Sequence, residues 1–219
     1  FSLSLCMIQV RYILGVTFSL PSIYEVAATY KMGWSAFLSQ FFPNLYNNTS
    51  LFILGLVESS SVVGLYAVVV RIVDAICSVG YILSSTFLPY IALDIERHRL
   101  FRTIMLFLSF VLSVLLILFG DVVSSVLVGE EGDISTYLRF MALSVPLLFI
   151  VITYGTNYLM LVGRDIVVGK ISVAVSLVSL AVALILIPLL GMWGALLTIF
   201  SARLLLAIFT YAYYRVYIG

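Results

Sequence analysis

Apolar residues along this chain run in long unbroken blocks, separated by short polar breaks. A helix that crosses a membrane needs about 20 largely apolar residues. Six segments meet that length, at roughly 34–56, 64–91, 103–120, 138–161, 168–189 and 193–214. The breaks between them are Val57 to Val63, Leu93 to Arg102, Asp121 to Tyr137, Val162 to Asp165, and a tight Leu190-Gly191-Met192 turn. The blocks do not alternate apolar with polar positions, which excludes membrane β-barrel strands. The pattern predicts an all-α, polytopic transmembrane helix bundle. The run before residue 34 opens at Phe1 inside apolar sequence and has no basic leader. It reads as the end of a preceding transmembrane helix with a cytoplasmic loop (1–33), leaving 34–219 as a C-terminal six-helix lobe.

Composition narrows the solvent. Of 219 residues, 63% are hydrophobic and 10% charged, and the mean hydropathy is +1.23. Soluble domains carry about 25% charged residues, so this chain has too little polar surface to cover a globule in water. A net charge of +1 with scattered Lys and Arg excludes a nucleic-acid surface, which requires clustered cations. Cys6 and Cys77 sit in apolar stretches and form no disulfide or metal spacing. The single histidine, His98, lies in a basic break and reads as a solvated charge.

Lys and Arg gather in the cytoplasmic loops of membrane proteins. With the loop before 34–56 placed in the cytoplasm, that side collects Lys31, Arg97, Arg99, Arg102, Arg164, Lys170 and Arg215. The other side then holds Arg139 with the acids Glu58, Asp121, Glu130, Glu131 and Asp133. The C-terminus is expected in the cytoplasm. The tyrosines of the last helix end, Tyr211, Tyr213, Tyr214 and Tyr217, suit an interfacial belt.

Ionisable residues at membrane depth are costly and mark pathways or paired contacts. Arg71, Asp74 and Arg203 fall deep inside predicted spans. Arg71 and Asp74 are three apart, so they share a helix face and can pair. Such a pair either holds the bundle together or lines a hydrated cavity, and two arginines with one acid leave positive charge over. Asn44, Asn47 and Asn48 follow Pro43 as one stripe, either a cavity wall or interhelical amide bonding. Asn157, three residues after Tyr154, is a further cavity candidate that helix packing would explain equally well. Pro146 and Gly155 permit bending in the same span, and Gly80, Ser84 and Ser85 suit close helix approach. The sequence holds no catalytic constellation, metal-ligand spacing or phosphate loop, so neither an enzymatic role, a metal nor a cofactor is expected.

The run from Phe37 to Asp74, FLSQFFPNLYNNTSLFILGLVESSSVVGLYAVVVRIVD, resembles the start of the C-terminal half of polysaccharide flippases. The shared features are an Ile-Leu-Gly run, a short outer turn, then Gly64, Tyr66 and the basic Arg71, with Pro89 later in the helix. Gly163-Arg164-Asp165 is similar to the family's cytoplasmic turn, and Leu186 to Ala195 to the approach to its last helix. Residues of about 18 to 210 are covered by the likeness. The family comprises O-antigen and exopolysaccharide repeat-unit flippases, in the multidrug/oligosaccharidyl-lipid/polysaccharide exporter superfamily. The resemblance implies two pseudo-symmetric halves around a central cavity. It also implies movement of an undecaprenyl-diphosphate-linked oligosaccharide across the bacterial inner membrane, with the N-terminal half and membrane lipids as partners. By the same likeness, Arg71 would help attract the diphosphate, and Asn44 and Asn47 would meet sugar hydroxyls. Family members often carry an acid at the place of Ala202, beside which this chain has the basic Arg203. A cation-coupled multidrug exporter would need acids in the cavity, where only Asp74 is available. A membrane enzyme acting on polyprenol-linked glycans would usually carry a large outer loop, and a purely structural membrane subunit is a further alternative.

Overall fold

Short polar links and long apolar blocks leave the backbone one economical solution in lipid, the helix, which satisfies its own N–H and C=O groups. The computed structural model describes residues 22–127 and 134–218, excepting the side chains at 28, 31, 32, 35–47, 127 and 218. Every described regular element is helical. Two compact units are present, Phe1–Ala36 and Phe37–Gly219. In the first, helix α1 (Ile23–Val57) opens on a capping box. There the Ser22 N–H donates to the Glu25 carboxylate at 2.8 Å and the Glu25 N–H returns a bond to Ser22 Oγ at 3.3 Å.

The second unit contains the end of α1, then α2 (Ser60–Leu93), a 3₁₀ turn (Ile95–Arg97) and α3 (His98–Leu127). Next come α4 (Ile134–Ala142), α5 (Ser144–Ile150), a π-helical segment (Val151–Met160), α6 (Asp165–Leu190) and α7 (Met192–Ile218). Five stretches are long and apolar enough to cross a membrane: Ser60–Leu93, Ile95–Val126, Ile134–Met160, Asp165–Leu190 and Met192–Tyr217. The sixth predicted span, 34–56, lies in α1, where Asn48–Val57 is the described apolar part. Helices run past the apolar blocks at most breaks, so the links are shorter than the hydropathy pattern predicts. Only Glu58 and Ser59 separate α1 from α2.

Burial separates central from peripheral helices. The most apolar windows of Ile134–Met160 and α7 are 61% and 56% buried, against 22–28% for α2, α3 and α6. The core gathers Leu54, Tyr66, Val73, Met105, Leu138, Phe149, Ile152 and Ile199. Large apolar side chains such as Phe107, Leu118, Ile185 and Leu189 point outward. Such a surface is an aggregation liability in water and is at no disadvantage among lipid tails.

Local sequence explains the joints. Pro146 has no N–H to offer the Ala142 carbonyl one turn back, and the helix breaks at Leu143 between α4 and α5. Ser113 Oγ on α3 donates to that carbonyl at 2.8 Å. Gly191 alone separates α6 from α7, with φ +54, in the left-handed region that favours glycine. Three residues on, the α7 backbone at Gly194 lies directly against the Leu186 carbonyl and Ile187 Cα, leaving no room for a Cβ. Gly80 meets the Phe149 ring in the same manner, with 2.9 Å to a hypothetical Cβ. Ser85, expected at a close approach, is instead exposed and bonds back to the Ile82 carbonyl.

Contacts between link residues place the helix ends in two groups. At one, Arg139 pairs with Asp121 at 2.6 Å, Trp193 packs on Tyr137, and Glu58 sits beside Gly191. At the other, the His98 ring meets those of Tyr158 and Tyr214 and Arg164 lies over the Tyr217 ring. The helices of this unit therefore run alternately up and down.

Candidate functional site

Three helices converge on the side chain of Arg203. From α7, its Nη2 donates to Asp74 Oδ1 on α2 at 2.7 Å, and its Nη1 donates to Ser144 Oγ at the start of α5 at 2.8 Å. Ser144 Oγ itself donates to the Met141 carbonyl at 2.7 Å. That commits the hydroxyl proton and leaves a lone pair facing the guanidinium. The Arg203 side chain is 2% exposed and that of Asp74 49%, so the pair runs from the interior of the lobe to its surface. Arg203 Nε is buried without a hydrogen-bond partner. With about 1.5 Å of rise per residue, Arg203 lies about 17 Å from the Met192 end of α7, and Asp74 about 21 Å from the Ser60 end of α2. Both depths fall within a hydrocarbon layer about 30 Å thick.

This arrangement corrects the pairing that spacing suggested. Asp74 is engaged by Arg203, 129 residues away, and not by Arg71 on its own helix. Among the described residues Arg71 has no acidic partner, and its side chain is exposed. It belongs to a line along α2 in which Gly64, Arg71, Ser78 and Ser85 recur every seven residues, all exposed. Seven residues are close to two helical turns, so the four lie on one face, with Asp74 beside Arg71. Ser78 satisfies its hydroxyl on the Ala75 carbonyl at 2.6 Å.

The asparagine candidates separate. Asn157 is fully buried in the π-helical segment and its Oδ1 accepts from Ser84 Oγ on α2 at 2.6 Å. Ser84 lies about 15 Å along α2 from Asp74, so Asn157 joins a second polar contact and not the Arg203 cluster. Its Nδ2 and the neighbouring Thr153 Oγ1 are buried without partners. Asn48 is exposed on α1. The side chains of Asn44 and Asn47 lie outside those described.

A further cluster was missed by sequence reasoning. His98 is not a solvated charge but 3% exposed, with Nε2 3.0 Å from the Thr153 carbonyl. A carbonyl only accepts, so Nε2 carries the proton. The rings of Tyr154, Tyr158 and Tyr214 enclose the imidazole at centroid distances of 6.1, 4.9 and 6.1 Å. Tyr214 is accordingly a buried packing residue and not part of an interfacial belt. A lone histidine among arginines carries no spacing signal that would mark it as buried.

Among the described residues, no group of three or more His, Cys, Asp and Glu gathers to hold a metal. Comparison with protein-family models, with curated proteins and with solved structures returns no match.

Proposed function

We propose that this lobe is part of a membrane transporter. Its substrate would be a lipid-linked oligosaccharide, of the undecaprenyl-diphosphate-linked repeat-unit class, flipped across the bacterial inner membrane for O-antigen or exopolysaccharide synthesis. The observation that carries the reading is the exposed face of α2 around Arg71, which lies at membrane depth and is paired with no acid among the described residues. Lipid tails do not solvate a guanidinium, so such a face belongs against water or an anionic headgroup. Alternating access would bring the face to each side in turn, with the complementary half of the transporter completing the cavity. Asp74, the acid a cationic drug would require, is already engaged by Arg203, which disfavours the multidrug alternative. The basic end of the bundle, with Arg97, Arg99, Arg164 and Arg215, would face the cytoplasm together with the C-terminus.

The test is complementation in a bacterial strain lacking its own flippase, with surface polysaccharide as the readout. Restored polysaccharide that disappears with Arg71→Ala is expected. Failure of the unmodified protein across several repeat-unit types would remove the reading.

A further inference from the structure

We propose that Arg203 is a positioning residue that keeps Arg71 available for a phosphate-class anion by holding Asp74 away from it. Two arginines compete for one carboxylate. Arg71 is three residues from Asp74 on the same helix, close enough for side chains to meet. Yet Asp74 Oδ1 is bonded to Arg203 at 2.7 Å. Geometry favours that choice: Arg203 is nearly fully buried and anchored at its other terminus by Ser144 at 2.8 Å, whereas Arg71 is exposed. A buried guanidinium has more to lose without a counter-charge than an exposed one. The acid therefore goes to the arginine that needs it most. The exposed arginine is left with a whole positive charge on the outer face of α2.

The consequence is selectivity. An Arg71 neutralised by Asp74 would present a dipole and discriminate little between ligands. An unpaired guanidinium offers a planar fork of donors that matches two phosphate oxygens. The origin of the anion as a transported headgroup rests on the transport reading, but binding is measurable without export.

The intact protein, reconstituted in nanodiscs of zwitterionic lipid, would be titrated with inorganic pyrophosphate and separately with farnesyl diphosphate. Saturable binding that Arg71→Gln abolishes is expected. Tighter binding of farnesyl diphosphate would mark a lipid-linked source, and tighter binding of pyrophosphate a soluble one. Arg203→Met frees Asp74 to pair with Arg71 and should weaken binding about tenfold or more. The Asp74→Asn/Arg203→Met double variant removes the competing acid and should recover binding, to within about threefold of wild type. Wild-type affinity in Arg203→Met, or a double variant as weak as the single, would overturn the positioning role. So would absence of saturable binding in the wild type.

A second measurement does not depend on Arg203→Met folding. Ala75 is exposed next to Asp74, and Ala75→Cys, with the native cysteines replaced, reports the local potential. The ratio of anionic to cationic methanethiosulfonate reactivity should fall several-fold when Arg71→Gln is added. An unchanged ratio would mean that Arg71 was already neutralised. Glycan export with no effect of Arg203→Met on binding would sink the positioning role alone. The expected binding pattern without export would sink the transport reading alone.

Discussion

His98 shows how a single side chain can be misjudged from its neighbours along the chain. Arg97, Arg99 and Arg102 surround it in sequence, but His98 shares the inward side of α3 with Phe101 and Met105, which delivers the imidazole to the Thr153 carbonyl. His98→Phe keeps an aromatic ring among Tyr154, Tyr158 and Tyr214 while removing the donor. It should cost about 1 kcal/mol, the net worth of one hydrogen bond. His98→Ala should cost clearly more, because the ring contacts go as well. Thermal unfolding in detergent measures both, and equal losses would show that packing around the ring contributes little. The cost of a charge at membrane depth made Arg203 and Asp74 conspicuous in the sequence. Their partnership was not legible, because 129 residues separate them and only the packing of α7 against α2 brings them together.

The helices follow from length and hydropathy, but their irregularities depend on neighbours. Pro146 announced a bend in the span 138–161; that the break would fall at Leu143, supported by a hydroxyl from α3, was not readable. The Ser113 bond to the Ala142 carbonyl replaces the donor that proline lacks, as serines do in membrane helices. Ser113→Ala should therefore destabilise the protein by about 1–2 kcal/mol. In a Pro146→Ala background, where a backbone N–H can return, the same change should cost less. A double-mutant cycle of melting temperatures checks this. Additive losses would mean that Ser113 does not compensate for the proline. The π-helical segment also lacked a sequence signature beyond Gly155. Wide turns there place Asn157 against Ser84, a contact that depends on α2 standing alongside.

Across the bundle, link contacts sort the helix ends into two groups, and the basic residues crowd one of them. Cysteines introduced at Ser59 and Ser125, both exposed, should react with an impermeant thiol reagent on intact cells. Cysteines at Glu96 and Asp165, exposed at the other end, should react only after permeabilisation. Labelling of Ser59→Cys and Glu96→Cys from the same side would contradict the alternation. The positions of five of the spans and the charge asymmetry of their ends were legible because each is a local property, summed over about 20 consecutive residues against a lipid slab of known thickness. All-helical architecture followed from the same sum, since lipid forbids an unpaired backbone. Three outcomes required the folded bundle: which arginine takes Asp74, where Asn157 finds its hydroxyl, and why His98 is dry. Each depends on side chains from distant segments competing for a partner, and that competition is decided by burial, which no stretch of sequence carries alone.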